Sequence, residues 1–158
     1  MRRVDREIIG LDNILAILDK CEIIRIGLCD GGKPYIVPLN FGYEVINEKV
    51  FIYMHCAAGG RKIDIINKNN NVCFEADCGY KLITAETACR YSAEYQSVIG
   101  EGVIEILKGE AQKIHGLGIL MKRYGFNGKP SYDERALSNV TVLRISVYSV
   151  TGKAKLGK

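Results

Sequence analysis

The chain has 158 residues, 47% of them hydrophobic, and a formal net charge of 22 − 18, or +4. That apolar content suffices for the core of one domain over residues 1–158. The charge is mild and scattered, with no basic run interleaved with aromatics, which argues against a nucleic-acid track; no apolar run approaches the roughly 20 residues of a membrane-spanning helix.

Met1 to Gly10 is polar and reads as an arm against the body or a partner. Leu11, Ile14, Leu15, Leu18 and Cys21 recur at helical spacing, which predicts a helix over 12–20 with Asp12 as a candidate N-cap. A strand follows over 22–29, then the turn Asp30-Gly31-Gly32 and a second strand over 33–43. Pro34 and Pro38 assign that second strand to a sheet edge or a bulge, because proline has no N–H for a ladder. Its free backbone groups either rim a ligand or are solvated.

The stretch from Val50 to Asn71 organises the rest. Val50 to Cys56 ends a third strand, nearly all apolar and so covered on both faces. Ala57-Ala58-Gly59-Gly60 allows a sharp turn, and a helix starts at Arg61. Arg61 and Lys62 fall in its first turn, where the macrodipole is positive and each cation costs about 0.3–1 kcal/mol. A bound anion reverses the sign of these terms. Gly60, Arg61 and Lys62 therefore make either a phosphate site or two side chains that reach into water. His55 is either a satisfied core histidine or a site residue, and Cys56 reads as packing.

A fourth strand is predicted over 72–77, and 78–90 is a connection with room for a short strand at 80–83. Strand pattern returns over 91–107, where Gly100 and Gly102 share a face and mark a barrel bend or a close backbone approach. A helix covers 109–124, with His115 on its flank as a surface or boundary residue; 125–139 reads as loop, and a last strand runs over 140–150, followed by Thr151-Gly152-Lys153. The six cysteines form no C-x-x-C pair, and no apolar signal segment precedes them; this predicts no zinc site and reduced, mostly buried thiols in a cytoplasmic protein. About six strands joined by hairpins, with few helices, predict a mainly β fold, an antiparallel β-barrel closed by helices.

Several short segments occur in a telling order: Pro34-Tyr35-x-x-Pro38-x-Asn40-Phe41, Tyr53-x-His55 with Gly60-Arg61-Lys62, Tyr95-x-Ser97-Val98-x-Gly100, and Thr151-Gly152-Lys153. Together they resemble the FMN-binding split-barrel proteins related to pyridoxamine 5'-phosphate oxidase, in particular the nitroimidazole-resistance branch. The resemblance implies a split antiparallel barrel, a homodimer, and FMN at the subunit interface. It implies that Arg61 and Lys62 hold the phosphate, that Val37, Pro38, Leu39 and Asn40 line the isoalloxazine, and that His55 and Cys56 lie near the ribityl chain or ring. It further implies that Gln96 and Ser97 approach from the partner subunit and that Lys153 reaches the site from the C-terminal end. It makes His55 a candidate proton donor to a small nitro- or quinone-like substrate. No GxGxxG fingerprint is present, so NAD(P)H as electron donor would bind transiently at the flavin face. The family's pyridoxal-phosphate-gripping arginine segment and tryptophan are missing, which argues against pyridoxamine phosphate as substrate. Two other readings stand beside the reductase: an FMN-binding protein without turnover, and a haem-binding split barrel with His55 or His115 as axial ligand.

Overall fold

The computed structural model describes residues 3–128 and 130–157. Eight antiparallel strands form one sheet that curls without closing. They are β1 (Glu7–Ile8), β2 (Ile23–Asp30), β3 (Lys33–Asn40), β4 (Gly42–Ile46), β5 (Lys49–Ala57), β6 (Asn71–Ile83), β7 (Ser92–Leu107) and β8 (Val140–Lys155). The order is β3-β2-β6-β7-β8-β5-β4, with β1 paired to the far end of β8. Four helices accompany them: α1 (Leu11–Leu18), α2 (Arg61–Lys68), α3 (Glu110–Arg123) and α4 (Glu134–Asn139). This is the split barrel expected, with two strands more than the six or so predicted. Among the described residues, no helix is long and apolar enough to cross a membrane.

The alternation of side chains sets the core. Ile24, Ile26 and Leu28 of β2, Val50, Ile52 and Met54 of β5, and Leu143 and Ile145 of β8 all point inward and are buried, as are Phe74 and Val98. Ile14, Ile17 and Leu18 of α1 and Ile63, Ile65 and Ile66 of α2 plug the barrel. A second cluster lies outside the sheet, where Leu117 and Leu120 of α3 and Leu137 of α4 cover Tyr53 and Val142. Arg123 at the end of α3 fastens α1 to this assembly. Its Nη2 donates to the carbonyls of Leu18 and Cys21, both at 2.6 Å, and its guanidinium lies 4.2 Å from the centre of the Phe41 ring. A cation on the last carbonyls of a helix also opposes the negative end of its dipole.

Four boundaries differ from the expectation. The predicted strand over 33–43 is two strands at opposite ends of the sheet order. Phe41 turns wholly into the core, and its N–H leaves the ladder to donate to Tyr124 Oη at 3.3 Å. The predicted connection from residue 78 is a continuation of β6 to Ile83, with a register shift between Cys78 and Lys81 around Gly79 at φ 68°. A bulge breaks the inside–outside alternation, which hid this strand from its period. The loop over 125–139 contains α4, capped by Asp133, whose Oδ1 accepts from Ala136 N at 2.6 Å. Gly10 at φ 90°, rather than Asp12, precedes α1.

Two expectations are borne out closely. β3 is an edge strand paired only with β2, where Pro34 and Pro38 face Cys29 and Arg25. The arm packs on the body: Glu7 faces Lys153 and Ile8 faces Gly152, while Met1 and Arg2 lie outside the described residues.

Candidate functional site

β5 delivers the chain to the start of α2 through four small residues. His55 and Cys56 are neighbours in sequence and so point to opposite faces. His55 faces outward beside Val142 and is exposed; among the described residues its ring makes no hydrogen bond. Cys56 faces the barrel and packs against the core; burial pushes its thiol up, and the nearby Lys62 ammonium pulls it partly back.

Gly60 takes φ 122°, a conformation that L side chains rarely adopt, and α2 begins immediately after it with no side chain capping its N-terminus. The carbonyl of Gly60 accepts from the N–H groups of Ile63 (2.8 Å) and Asp64 (3.3 Å), so the helix closes at once on the glycine. Arg61 does not hang free. Its Nη2 lies 3.4 Å from Asp30 Oδ2 at the end of β2, and its guanidinium lies 4.5 Å from the centre of the Tyr35 ring on β3. Half of the Arg61 side chain stays exposed, which leaves donors of the guanidinium for an anion. Lys62 forms no ion pair among the described residues. Arg61 and Lys62 share this end with two carboxylates, Asp30 and, in the first turn itself, Asp64, while the uncapped N–H groups and the exposed donors of Arg61 stay open to an anion.

The edge strand β3 runs beside Tyr35. Val37 and Leu39 face inward, half-buried, while Pro38 and Asn40 are exposed on the outer side. The prolines lie two positions apart from Ile36 on either side, and a residue without an N–H cannot occupy a hydrogen-bonded ladder position. The backbone groups of Ile36 and Asn40 therefore turn away from β2, toward the open edge. Asn40 is partly committed: its Nδ2 donates to Tyr124 Oη at 3.1 Å.

Gln96, Ser97 and Lys153 are elsewhere. Ser97 faces Lys153 across β7 and β8, while Val142, eleven residues back along β8, faces His55 (153 − 142 = 11). At about 3.3 Å per residue that is a path of roughly 36 Å along the strand. Ser97 and Lys153 thus pair toward the opposite end of β8 from His55. Gln96 Oε1 instead accepts from Lys20 Nζ at 3.1 Å, and the Lys153 ammonium lies 5.9 Å from the centre of the Tyr95 ring.

The residues that hold Arg61, Asp30 and Tyr35, were not singled out from sequence, and neither was a polar cluster beneath α3. There Glu44 Oε1 accepts from Tyr53 Oη at 2.6 Å and sits 2.8 Å from His115 Nε2, while Arg144 donates to Glu105 at 2.7 Å. His115 lies at the surface, within the surface-or-boundary expectation, although its partner on β4 carried no sequence signal. Partial burial pushes the Glu44 carboxyl up, but the hydrogen bonds from Tyr53 and His115 and the nearby Arg144 outweigh it and hold it below its ordinary value. A carboxyl depressed on folding stabilises the fold above its unfolded pKa, and that contribution disappears as pH falls through the folded value. The stability gap between wild type and Glu44→Gln, measured by urea unfolding, is thus expected to be constant near neutral pH and to narrow below about pH 4. A gap that does not move with pH would mean that the charge on Glu44 contributes nothing.

Residues 11–154 match the family model described as pyridoxamine 5'-phosphate oxidase. No curated protein sequence matches the chain. Among solved structures, the chain is similar to a Bacteroides thetaiotaomicron protein provisionally named for 5-nitroimidazole antibiotic resistance, at 34% identity and a TM-score of 0.81, over 94% of this chain and 86% of that one. It has the fold of the flavocytochrome Anf3 from Azotobacter vinelandii, at 20% identity and a TM-score of 0.84, over 99% of this chain and 72% of that one. It also has the fold of an FAD and haem binding protein from Mycobacterium smegmatis, at 16% identity and a TM-score of 0.83, over 96% and 74% of the two chains.

Proposed function

The chain belongs to the pyridoxamine 5'-phosphate oxidase family, and on that premise we propose that it is an FMN-dependent oxidoreductase that reduces a small nitro- or quinone-like substrate between two copies of itself. The observation that carries this reading is the start of α2. Gly60, an uncapped helix N-terminus, Arg61 and Lys62 offer a phosphate backbone N–H donors and two cationic side chains, against which Asp64 in the same turn works. Asp30 competes for Arg61 at 3.4 Å, yet that distance is long for a charge-assisted bond, and the exposed part of the guanidinium remains available.

When bound, FMN supplies the redox chemistry that no side chain of this protein can supply. The protein's part is placement. Lys62 and the first N–H groups of α2 hold the phosphate end, and Tyr35 keeps the Arg61 guanidinium in place beside them. The open edge of β3, from Val37 to Asn40, offers its outward backbone groups to the polar rim of the ring. His55 is exposed on β5 and carries a ring N–H that can donate to a substrate oxygen. Cys56, inward and raised by burial, packs.

The separation along β8 supports a homodimer. Gln96, Ser97 and Lys153 lie toward the opposite end of β8 from His55, and a second copy would bring them to the α2 N-terminus. NAD(P)H then meets the flavin transiently, without a domain of its own. Six unpaired thiols fit a cytoplasmic setting, although only Cys21 is buried where most were expected to be, because Cys29, Cys73 and Cys89 are exposed. In the haem reading His115 would ligate through Nδ1, since its Nε2 pairs with Glu44 at 2.8 Å.

The test is turnover. FMN-loaded protein is mixed anaerobically with NADH or NADPH and then with a nitroimidazole or a quinone, while its visible absorbance is followed. Bleaching followed by return of colour is the expected result. A flavin that bleaches and is not reoxidised by either acceptor class would leave a binding protein in place of a reductase.

A further inference from the structure

Two cysteines from different elements converge on one backbone carbonyl. Cys21 follows α1 and is 2% exposed; Cys78 lies on β6 at the start of its bulge and is half-buried. Their sulfurs share one acceptor, the carbonyl of Ile17, at 3.3 Å from Cys21 Sγ and 4.0 Å from Cys78 Sγ. No other two cysteine sulfurs among the described residues share an acceptor in this way.

We propose that Cys21 and Cys78 are a dithiol site that a small-molecule disulfide oxidises to an intramolecular disulfide, tying the end of α1 to β6. The roles follow from access. The thiolate of Cys78, the more open of the two, attacks one sulfur of the small disulfide; that S–S bond breaks, a mixed disulfide forms on Cys78, and one small thiolate leaves. Cys21 then attacks the Cys78 sulfur, its proton passing to the departing second thiolate. Two protein thiols have lost two electrons and two protons, and one disulfide has become two thiols. Burial pushes the Cys21 thiol up to about 12, which suits a group that waits as a thiol and reacts only with a sulfur already beside it.

The surroundings can accommodate the bond. Gly79 follows Cys78 at φ 68° with nothing within 4 Å of the place its Cβ would occupy, so the bulge has room to shift. Cys78 also faces Gln96 across the ladder, and Lys20, next to Cys21, donates to that same Gln96. Closing the bond would therefore brace the strand that carries Gln96 and Ser97. The dithiol itself rests on the sulfur geometry and stands whether or not flavin binds.

The experiment uses the reduced full chain and oxidised glutathione, read by intact mass and by a non-reducing peptide map. The expected result is a Cys21–Cys78 linked peptide, whatever Cys29, Cys73 and Cys89 carry. In Cys21→Ala the glutathione is expected to stay trapped on Cys78, and in Cys78→Ala position 21 is expected to remain a free thiol. Wild-type protein in which Cys78 carries glutathione while Cys21 stays free, or in which both stay free, overturns the proposal. The wild-type map decides this even if a variant does not fold.

Discussion

Replacing Arg61 and Lys62 together by alanine is expected to abolish FMN retention while leaving the fold intact. Each cation on a phosphate makes a charge-assisted hydrogen bond of about 1.5–3 kcal/mol, so the pair accounts for roughly two to four orders of magnitude in affinity. The unliganded protein should lose nothing of that size. The Arg61–Asp30 pair is exposed and stretched, which places it at about 0–1 kcal/mol. Removing two cations from a helix N-terminus returns about 0.3–1 kcal/mol each. The double variant is therefore expected to be as stable as the wild type without FMN, or slightly more so, and much weaker toward FMN. The measurement is FMN titration by fluorescence quenching beside thermal unfolding of both proteins without ligand. Unchanged FMN affinity would sink the phosphate assignment. A large fall in the melting temperature of the unliganded variant would show that the two cations belong to the fold.

The second large effect is on stability. A Cβ at Gly102 would lie 2.5 Å from Ile145 Cγ2 and 2.6 Å from the carbonyl oxygen of Ser146. That carbonyl belongs to backbone held on both sides, since Ser146 faces Val103 in one ladder and Phe51 in the other. It cannot retreat without disturbing three strands. Gly102→Ala is expected to cost about 1–3 kcal/mol, at the upper end because backbone rather than a flexible side chain is struck. For a domain of this size that is a fall in Tm of very roughly 3–12 °C. Gly118 is the control. It lies in α3 with nothing within 4 Å of a built Cβ, so Gly118→Ala is expected to stabilise by about 0.5–1 kcal/mol. Thermal unfolding of the two variants checks both signs. Equal behaviour would mean that the barrel wall is looser at Gly102 than these distances imply.

Much of this architecture was legible from local chemistry. Prolines at positions 34 and 38 put β3 at an edge, and the glycine pair at 100 and 102 marked where β7 and β8 press together, beside the register shift at Glu101 and Gly102. The break between β3 and β4 was not legible, because it depends on Phe41 finding a pocket and its N–H finding Tyr124, 83 residues away. The long β6 was hidden for the opposite reason: its bulge is local, and it erased the very period by which strands are found. Asp133 is a cap that could have been read, an acidic residue just before Glu134.

The candidate site divides in the same way. The glycine and cations at the start of α2 were visible because helix polarity is a property of consecutive residues. Asp30 and Tyr35, which hold Arg61, lie on the β2–β3 hairpin, and only the tertiary fold brings that hairpin to α2. The grouping of Gln96, Ser97 and Lys153 away from His55 could not be read either, since it is set by which strand pairs with which along the length of β8.

The most direct test of flavin binding is an absorbance spectrum of the purified protein after FMN is added and the excess removed. The expected result is a retained flavin spectrum at about one FMN per chain, on a particle of twice the chain mass. A protein that emerges colourless and also ignores FMN in titration would contradict it, and the positive start of α2 would then need another anion.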